Sequence, residues 1–315
     1  MKRFTLNPVV IALLLAAGLF ALGGVIRPGF ANYTLALNIL RLAAFLAIVA
    51  AGQTLVVISG GEGIDLSVGA VVTLGAILVF RIANGSNALL LPALALALLV
   101  GALIGAINGV GITLLRVPPL VMTLGMTGVV GGLILVITQG RLVGAPAPAL
   151  NALVSRPLVF GIPGVVLLWL VLGGLMWVLL ERTVYGKQLF AIGMNRTTAR
   201  LSGVRVPLVV IATYALSSML AALGGVVLLG YTQNVFLNLG APYTLPSIAA
   251  VVVGGTLIAG GMGSYWGTMA GALVLTILTS LLTALTLPES ARQIIYGLTL
   301  LALLAVYGRE RGLRQ

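Results

Sequence analysis

Ten stretches of this chain run for 15 to 28 residues with predominantly apolar character, at 8–26, 42–61, 66–80, 88–115, 119–139, 163–180, 206–230, 244–261, 265–286 and 293–307. About 20 such residues in a helix cross the roughly 30 Å hydrocarbon core of a bilayer. In lipid every backbone N–H and C=O must find its partner within the protein, so such stretches fold as helices. Residues 66–80 and 293–307 are short, and 119–139 is rich in glycine. The expected fold is therefore an all-α integral membrane protein of eight to ten transmembrane helices, some short or broken, in a single transmembrane domain over 1–315. The first stretch lies between Lys2-Arg3 and Arg27. It is longer than the 7–15-residue apolar core of a cleaved leader, and it reads as a retained helix.

Composition excludes the other classes. Charged residues are 7% of the 315, against about 25% in a soluble domain, so a water-facing surface cannot be built. The net charge of +12 is spread along apolar sequence; it reads as a topology signal, and lipid rather than nucleic acid is the expected partner. There is no Cys and no His, and only five acids occur: Glu62, Asp65, Glu181, Glu289 and Glu310. That set offers no zinc-thiolate site, no thiolate nucleophile and no histidine as general base or metal ligand, so no enzyme activity is expected of this chain.

Basic residues set the orientation. With ten spans and the N-terminus inside, 11 of the 17 Lys and Arg fall on the inner side and 6 on the outer. The positive-inside rule then places both termini in the cytoplasm. Five of the inner ones (Arg182, Lys187, Arg196, Arg200 and Arg205) crowd into the loop 182–205.

Gly101, Gly105 and Gly109 are spaced by four, as are Gly263, Gly267 and Gly271 about half a chain later. Glycines at that spacing form a ridge on one helix face and let another backbone come close. The recurrence fits two related halves, and equally a ladder repeated in a chain with 42 glycines.

One segment stands out on energetic grounds. Gly60-Gly61-Glu62-Gly63-Ile64-Asp65-Leu66-Ser67-Val68-Gly69 puts two carboxylates between apolar spans, among glycines. A carboxylate at a helix centre costs about 2.5–3.5 kcal/mol on insertion scales, so such groups are candidates for a pathway or gate. Asp65 also has the position of a helix cap, accepting from the amide of Ser67 or Val68. Both roles stand at this point. The wider set of pathway candidates is Glu62, Asp65, Ser67, Asn108, Thr123 and Gln139, while Gln53, Thr127, Asn234 and Asn238 are polar residues that helix packing accounts for equally well.

Gly63-Ile64-Asp65-Leu66-Ser67-Val68-Gly69 resembles the signature of the inner-membrane permeases of ABC importers for ribose, xylose and galactose, within the branched-chain amino acid/monosaccharide permease family. The likeness continues through Arg116-Val117-Pro118-Pro119 with Thr123-Leu124-Gly125-Met126, through Tyr185-Gly186-Lys187 to Val204, and through Ile248 to Thr256 followed by Gly260-Gly261-Met262-Gly263-Ser264. It departs where Glu62 interrupts the usual Gly-Gly-Ile-Asp, and after Tyr243, where Thr244-Leu245-Pro246-Ser247 lacks the frequent acids.

The resemblance implies a bacterial inner-membrane permease that pairs with a second copy or a paralogue. It also implies a sugar-type ATPase in the cytoplasm, a periplasmic sugar-binding protein, and alternating access for a monosaccharide or related sugar-like solute. No Gly-x-x-x-x-Gly-Lys-[Ser/Thr] loop occurs in the chain, so ATP and Mg²⁺ are expected on the partner subunit and no cofactor here. In the loop, Asn195 is a good N-cap, Arg196 to Ser202 fits two helical turns, and Gly203 suits the left-handed position after them. The resemblance makes this a coupling helix, with Tyr185, Gly186, Ala191, Ile192, Gly193, Asn195, Ala199, Leu201, Ser202 and Gly203 as docking residues, the small ones fitting close contact. The three tryptophans, Trp169, Trp177 and Trp266, read as anchors at the membrane interface. A stand-alone secondary transporter or channel is the alternative; it would need a charged relay, for which only Glu62 and Asp65 are at hand.

Overall fold

The computed structural model describes residues 8–288, together with 290, 291, 294, 295, 297 and 298. Twelve helices follow in order: α1 (Pro8–Ile26), α2 (Tyr33–Ile58), α3 (Val68–Ala83), α4 (Leu90–Thr113), α5 (Pro119–Thr138), α6 (Pro148–Ser155), α7 (Gly164–Trp177), α8 (Val184–Met194), α9 (Arg196–Leu201), α10 (Val206–Thr232), α11 (Thr244–Val253) and α12 (Tyr265–Ala284). No β-strand occurs among the described residues. Seven of these elements are long and apolar enough to cross a membrane, with α7 continuing through a π turn to Arg182 as one 19-residue span. The shorter α3 and α11 are also apolar. The chain is an all-α, multi-pass membrane protein. The expected stretch 293–307 lies, apart from isolated positions, outside the described residues.

The centre of the bundle is a pair of long helices. Every residue of α2 from Ala43 to Ile58 is buried, and α10 lies against it, against α3 and along α4. On the other flank α12 packs on α2, α11 and α1. The outer helices are apolar on all sides, as lipid-facing helices are. In α1 only Ala12, Ala16 and Gly23 are buried. On α5, Leu120, Val121, Leu124, Val129, Leu135 and Val136 point outward.

Glycine permits the closest crossing. A Cβ at Gly101, Gly105 or Gly109 of α4 would sit 2.7 Å from the Ser218 carbonyl oxygen, 2.0 Å from that of Tyr214 and 2.5 Å from Ile211 Cα. The ridge expected on α4 therefore seats α10 by direct backbone contact. The second ladder is different. Gly267 and Gly271 lie on α12 against the carbonyl oxygens of Gly254 and Ala250, each 2.1 Å from the would-be Cβ. Gly263 is not on that helix, because α12 starts at Tyr265 with Ser264 as its cap. It lies in the preceding loop against Thr256, so a spacing of four does not make it part of the ridge.

Two boundaries move from their expected places. α2 begins at Tyr33 rather than 42, because the Asn32 side chain caps it by accepting from the Leu35 amide at 2.8 Å. Arg41 is consequently inside the helix rather than flanking it, and lies over the Tyr231 ring at 5.8 Å. The stretch 244–261 is not one helix: α11 stops at Val253, and Gly255, Gly260 and Gly261 take positive φ in the turns that follow. Trp169 is buried at 3% exposure, a core residue and not an interface anchor. The Arg182 guanidinium lies 4.8 Å from the Trp177 ring.

Candidate coupling and gating site

Two interruptions of the helical pattern meet at one end of the bundle. The first, between α2 and α3, begins with Gly60, Gly61 and Glu62, all at positive φ. The second follows α11. The Gly261 amide donates to the Ile58 carbonyl at 2.9 Å, and a Cβ on Gly260 would lie 2.3 Å from Gly60 Cα. The freed backbone of one break thus satisfies the other, which is the condition for irregular backbone inside a membrane protein.

The loop between α7 and α10 closes over this junction. Thr183 caps α8, accepting from the Gly186 amide at 3.1 Å. Asn195 caps α9, accepting from Thr198 at 2.9 Å. α9 then ends in a Schellman motif: Gly203 at φ 84 donates to Arg200, and Val204 donates to Ala199, both at 3.0 Å. In the last turn of α8, Gly193 is pressed into the junction. A Cβ there would meet the Ile58 carbonyl oxygen at 2.0 Å and the Gly261 nitrogen at 2.3 Å. Arg196 adds a hydrogen bond from Nη2 to the Gly60 carbonyl at 3.2 Å. A third tie is made by Tyr185, whose hydroxyl shares a 2.9 Å hydrogen bond with Thr213 of α10. Burial pushes the Tyr185 phenol up to about 12, against the opposing effect of that bond, so it stays protonated at physiological pH.

Just beyond the first break lies a buried polar cluster. Asp65, fully buried, accepts at Oδ1 from the amide and the hydroxyl of Ser67, at 3.0 and 2.5 Å, and at Oδ2 from the Ser217 hydroxyl of α10 at 3.2 Å. Asn108 of α4 donates to the Ser67 hydroxyl at 3.0 Å. Gln53 of α2 binds the Asp65 backbone on both sides, donating to its carbonyl at 2.5 Å and accepting from its amide at 3.3 Å. From α5, the Thr123 hydroxyl accepts from the Leu66 amide and that of Thr127 donates to the Leu66 carbonyl, both at 3.1 Å. Four helices, α2, α4, α5 and α10, therefore converge on residues 64–67. No Lys or Arg reaches the Asp65 carboxylate among the described residues; hydroxyls and amides alone hold it.

The model of the family described as "Branched-chain amino acid transport system / permease component" matches residues 35–304. The chain belongs to this family. Relatives of this permease include the autoinducer 2 import system permease protein LsrC of Yersinia enterocolitica, 36% identical over 313 residues that cover 96% of this chain and 85% of that protein. The proteins of the same name from Yersinia pseudotuberculosis YPIII and Yersinia pestis Pestoides F are also 36% identical, covering 96% of this chain and 87% of theirs. No solved structure matches.

The permease brings together four of the six residues expected along a pathway: Asp65, Ser67, Asn108 and Thr123, all fully buried. The other two stand apart. Glu62 is exposed at the rim of the break. Gln139 caps the far end of α5, 16 residues and roughly 24 Å of helix from Thr123. Sequence reasoning placed Gln53 among packing residues and did not single out Ser217; the signal for Gln53 was an amide within the otherwise apolar α2. The expected docking residues also divide. Asn195, Leu201, Ser202 and Gly203 are exposed. Gly186, Ile192 and Ala199 are buried, and Tyr185 and Ala191 are half-buried against the core. Gly193 is small because backbone lies against it on the inner side, not to admit a partner from outside.

Proposed function

We propose that this permease is the membrane-spanning subunit of an ABC importer for a compact sugar-like solute, of the monosaccharide or autoinducer 2 class. The observation that carries the reading is the mechanical continuity of its cytoplasmic end. α8 and α9 present Met194 and Leu201 outward, at 77% and 84% exposure, while Gly193 and Arg196 between them grip both breaks. Force applied to the outer face reaches the first break through the Gly193 backbone and the Arg196 side chain, and the chain runs on from that break to Asp65. That is what a coupling helix requires if a separate ATPase, holding ATP and Mg²⁺, drives alternating access. The whole chain acts as one transmembrane domain with 182–205 as its coupling loop, in a bacterial inner membrane with both termini cytoplasmic.

The solute is delivered by a periplasmic binding protein and passes between two permease chains, a second copy or a paralogue. α5 supports that partner: Gly125, Gly128, Gly131 and Gly132 have nothing within 4 Å, leaving its backbone open to another helix.

Two results are expected. In proteoliposomes holding the permease with its ATPase, loaded binding protein stimulates ATP-dependent uptake of autoinducer 2 or of a monosaccharide; uptake that runs without the ATPase points instead to a stand-alone transporter. In intact cells, a cysteine at the exposed Thr197, the only one in the chain, is labelled from the cytoplasm and not from the periplasm. Periplasmic labelling reverses the orientation.

A further inference from the structure

The cytoplasmic end of the bundle holds a cavity of about 330 Å³ between the α4–α5 turn, α9 and the start of α10. Three guanidiniums line it: Arg116 from the turn, Arg196 and Arg200 from α9. These residues come from segments 80 positions apart in sequence, so the convergence is made by the fold. No hydrogen bond or ion pair to a carboxylate is found for any of the three among the described residues, although Glu62 follows the lining residue Gly61; the bond found for Arg196 goes to the Gly60 carbonyl, and its buried Nε has no partner. Arg196 and Arg200 share one face of α9 by their spacing of four. Arg116 takes positive φ, at 58°, in the turn between α4 and α5.

Like charges placed together without counter-charge repel, and a bound anion is what makes such an arrangement favourable. Guanidinium forks match phosphate oxygens in geometry, with two parallel N–H···O bonds from one side chain. The other surroundings choose among anions. The remaining walls are the ends of spans, Ile112 and Thr113 of α4, Pro119 of α5 and Val206 of α10. Beside the mouth, Leu114, Leu115 and Leu120 are exposed at 61%, 73% and 51%. Charge in the cavity and bare leucines next to it together fit one amphiphile: a phosphate for the guanidiniums and acyl chains for the leucines. Basic pockets between transmembrane helices on the cytoplasmic side hold anionic headgroups for this reason.

We propose that the cavity formed by Arg116, Arg196 and Arg200 is a binding site for the phosphate of an anionic phospholipid of the cytoplasmic leaflet. A lipid there touches α9, the turn before α5 and the first break at Gly61 at once, so it fills the space between the coupling helix and the bundle. The inference rests on membrane placement, and does not depend on which solute is carried or on the ATPase.

The test is the thermal unfolding of the purified full-length chain in detergent, with phosphatidylglycerol, phosphatidylcholine or inorganic phosphate added at equal concentration. Phosphatidylglycerol is expected to raise the melting temperature and the other two to leave it unchanged. The double variant Arg116→Gln/Arg200→Gln, which spares the Arg196 bond to Gly60, is expected to melt like the parent in phosphatidylcholine and to lose most of the phosphatidylglycerol rise. Arg182→Gln/Lys187→Gln removes the same charge from the same side of the membrane outside the cavity, and is expected to keep that rise. An equal rise with inorganic phosphate overturns the proposal in favour of a free oxyanion. So does a rise that survives in the cavity variant, or one lost equally in both variants. No response to any lipid, with loss of ATPase co-purification in the cavity variant alone, gives the cavity to a carboxylate of the partner subunit and likewise overturns it.

Discussion

Gly193→Ala is expected to abolish uptake and to lower the melting temperature of the purified permease, although it adds only one methyl group, in the last turn of α8. The new Cβ would lie 2.0 Å from the Ile58 carbonyl oxygen and 2.3 Å from the Gly261 nitrogen. Neither neighbour is a flexible side chain that can swing away. The two groups pair neighbouring breaks, with the Gly261 amide on the Ile58 carbonyl at 2.9 Å, so separating them opens the junction on which α8 and α9 rest. Overpacking in a well-packed core costs about 1–3 kcal/mol, and a clash with backbone on two sides belongs at the upper end. Gly203→Ala is the matched comparison. Gly203 has φ 84 but nothing within 4 Å, so its alanine meets strain of about 1–2 kcal/mol and no clash; uptake is expected to persist. Uptake and melting measured side by side, at equal amounts in the membrane, decide it. Wild-type uptake by Gly193→Ala would sink the account of the junction.

Asp65→Ala is expected to have the second large effect, and Asp65→Asn a small one. The carboxylate is fully buried and receives the Ser67 amide, the Ser67 hydroxyl and the Ser217 hydroxyl. Alanine leaves those donors without an acceptor, and each buried unsatisfied group costs about 1–3 kcal/mol. The link from the break to α10 is lost with them. Asparagine keeps one oxygen for Ser67 and turns an amide toward Ser217, whose hydroxyl can rotate to accept, so the expected cost is about 1 kcal/mol. Transport with Asn at 65 is therefore expected to stay near wild type at matched membrane levels, and with Ala to fall at least tenfold. If Asn proves as inactive as Ala, the negative charge itself takes part in transport and Asp65 is a gate rather than a strut.

How much of this was legible in the sequence follows from the range of the forces involved. Most of the membrane helices could be read directly, because a span answers to local composition over some 20 residues; 244–261 could not, because glycines that turn the chain sit within the same apolar run. The ends of α9 were equally local: Asn195 caps its own next turn, and Gly203 supplies the positive φ that closes it. Asp65 was marked by its energetic cost, by its cap position and by the signature it lies in. Its partners were not, since Ser217 is 152 residues away and nothing in an isolated serine shows what it faces. Glycine misled for a related reason. The sequence shows that a side chain is missing at 193 and 263, but only the tertiary structure decides which neighbour occupies the space. At Gly193 it is the backbone of both breaks, and at Gly263 a threonine in a loop. Composition and spacing determined that this chain spans a membrane and where the first break falls, between α2 and α3; the second, after α11, came only with the structure. The joining of those breaks to α8 and α9 was decided by tertiary structure, because it is made largely by backbone atoms that every residue shares.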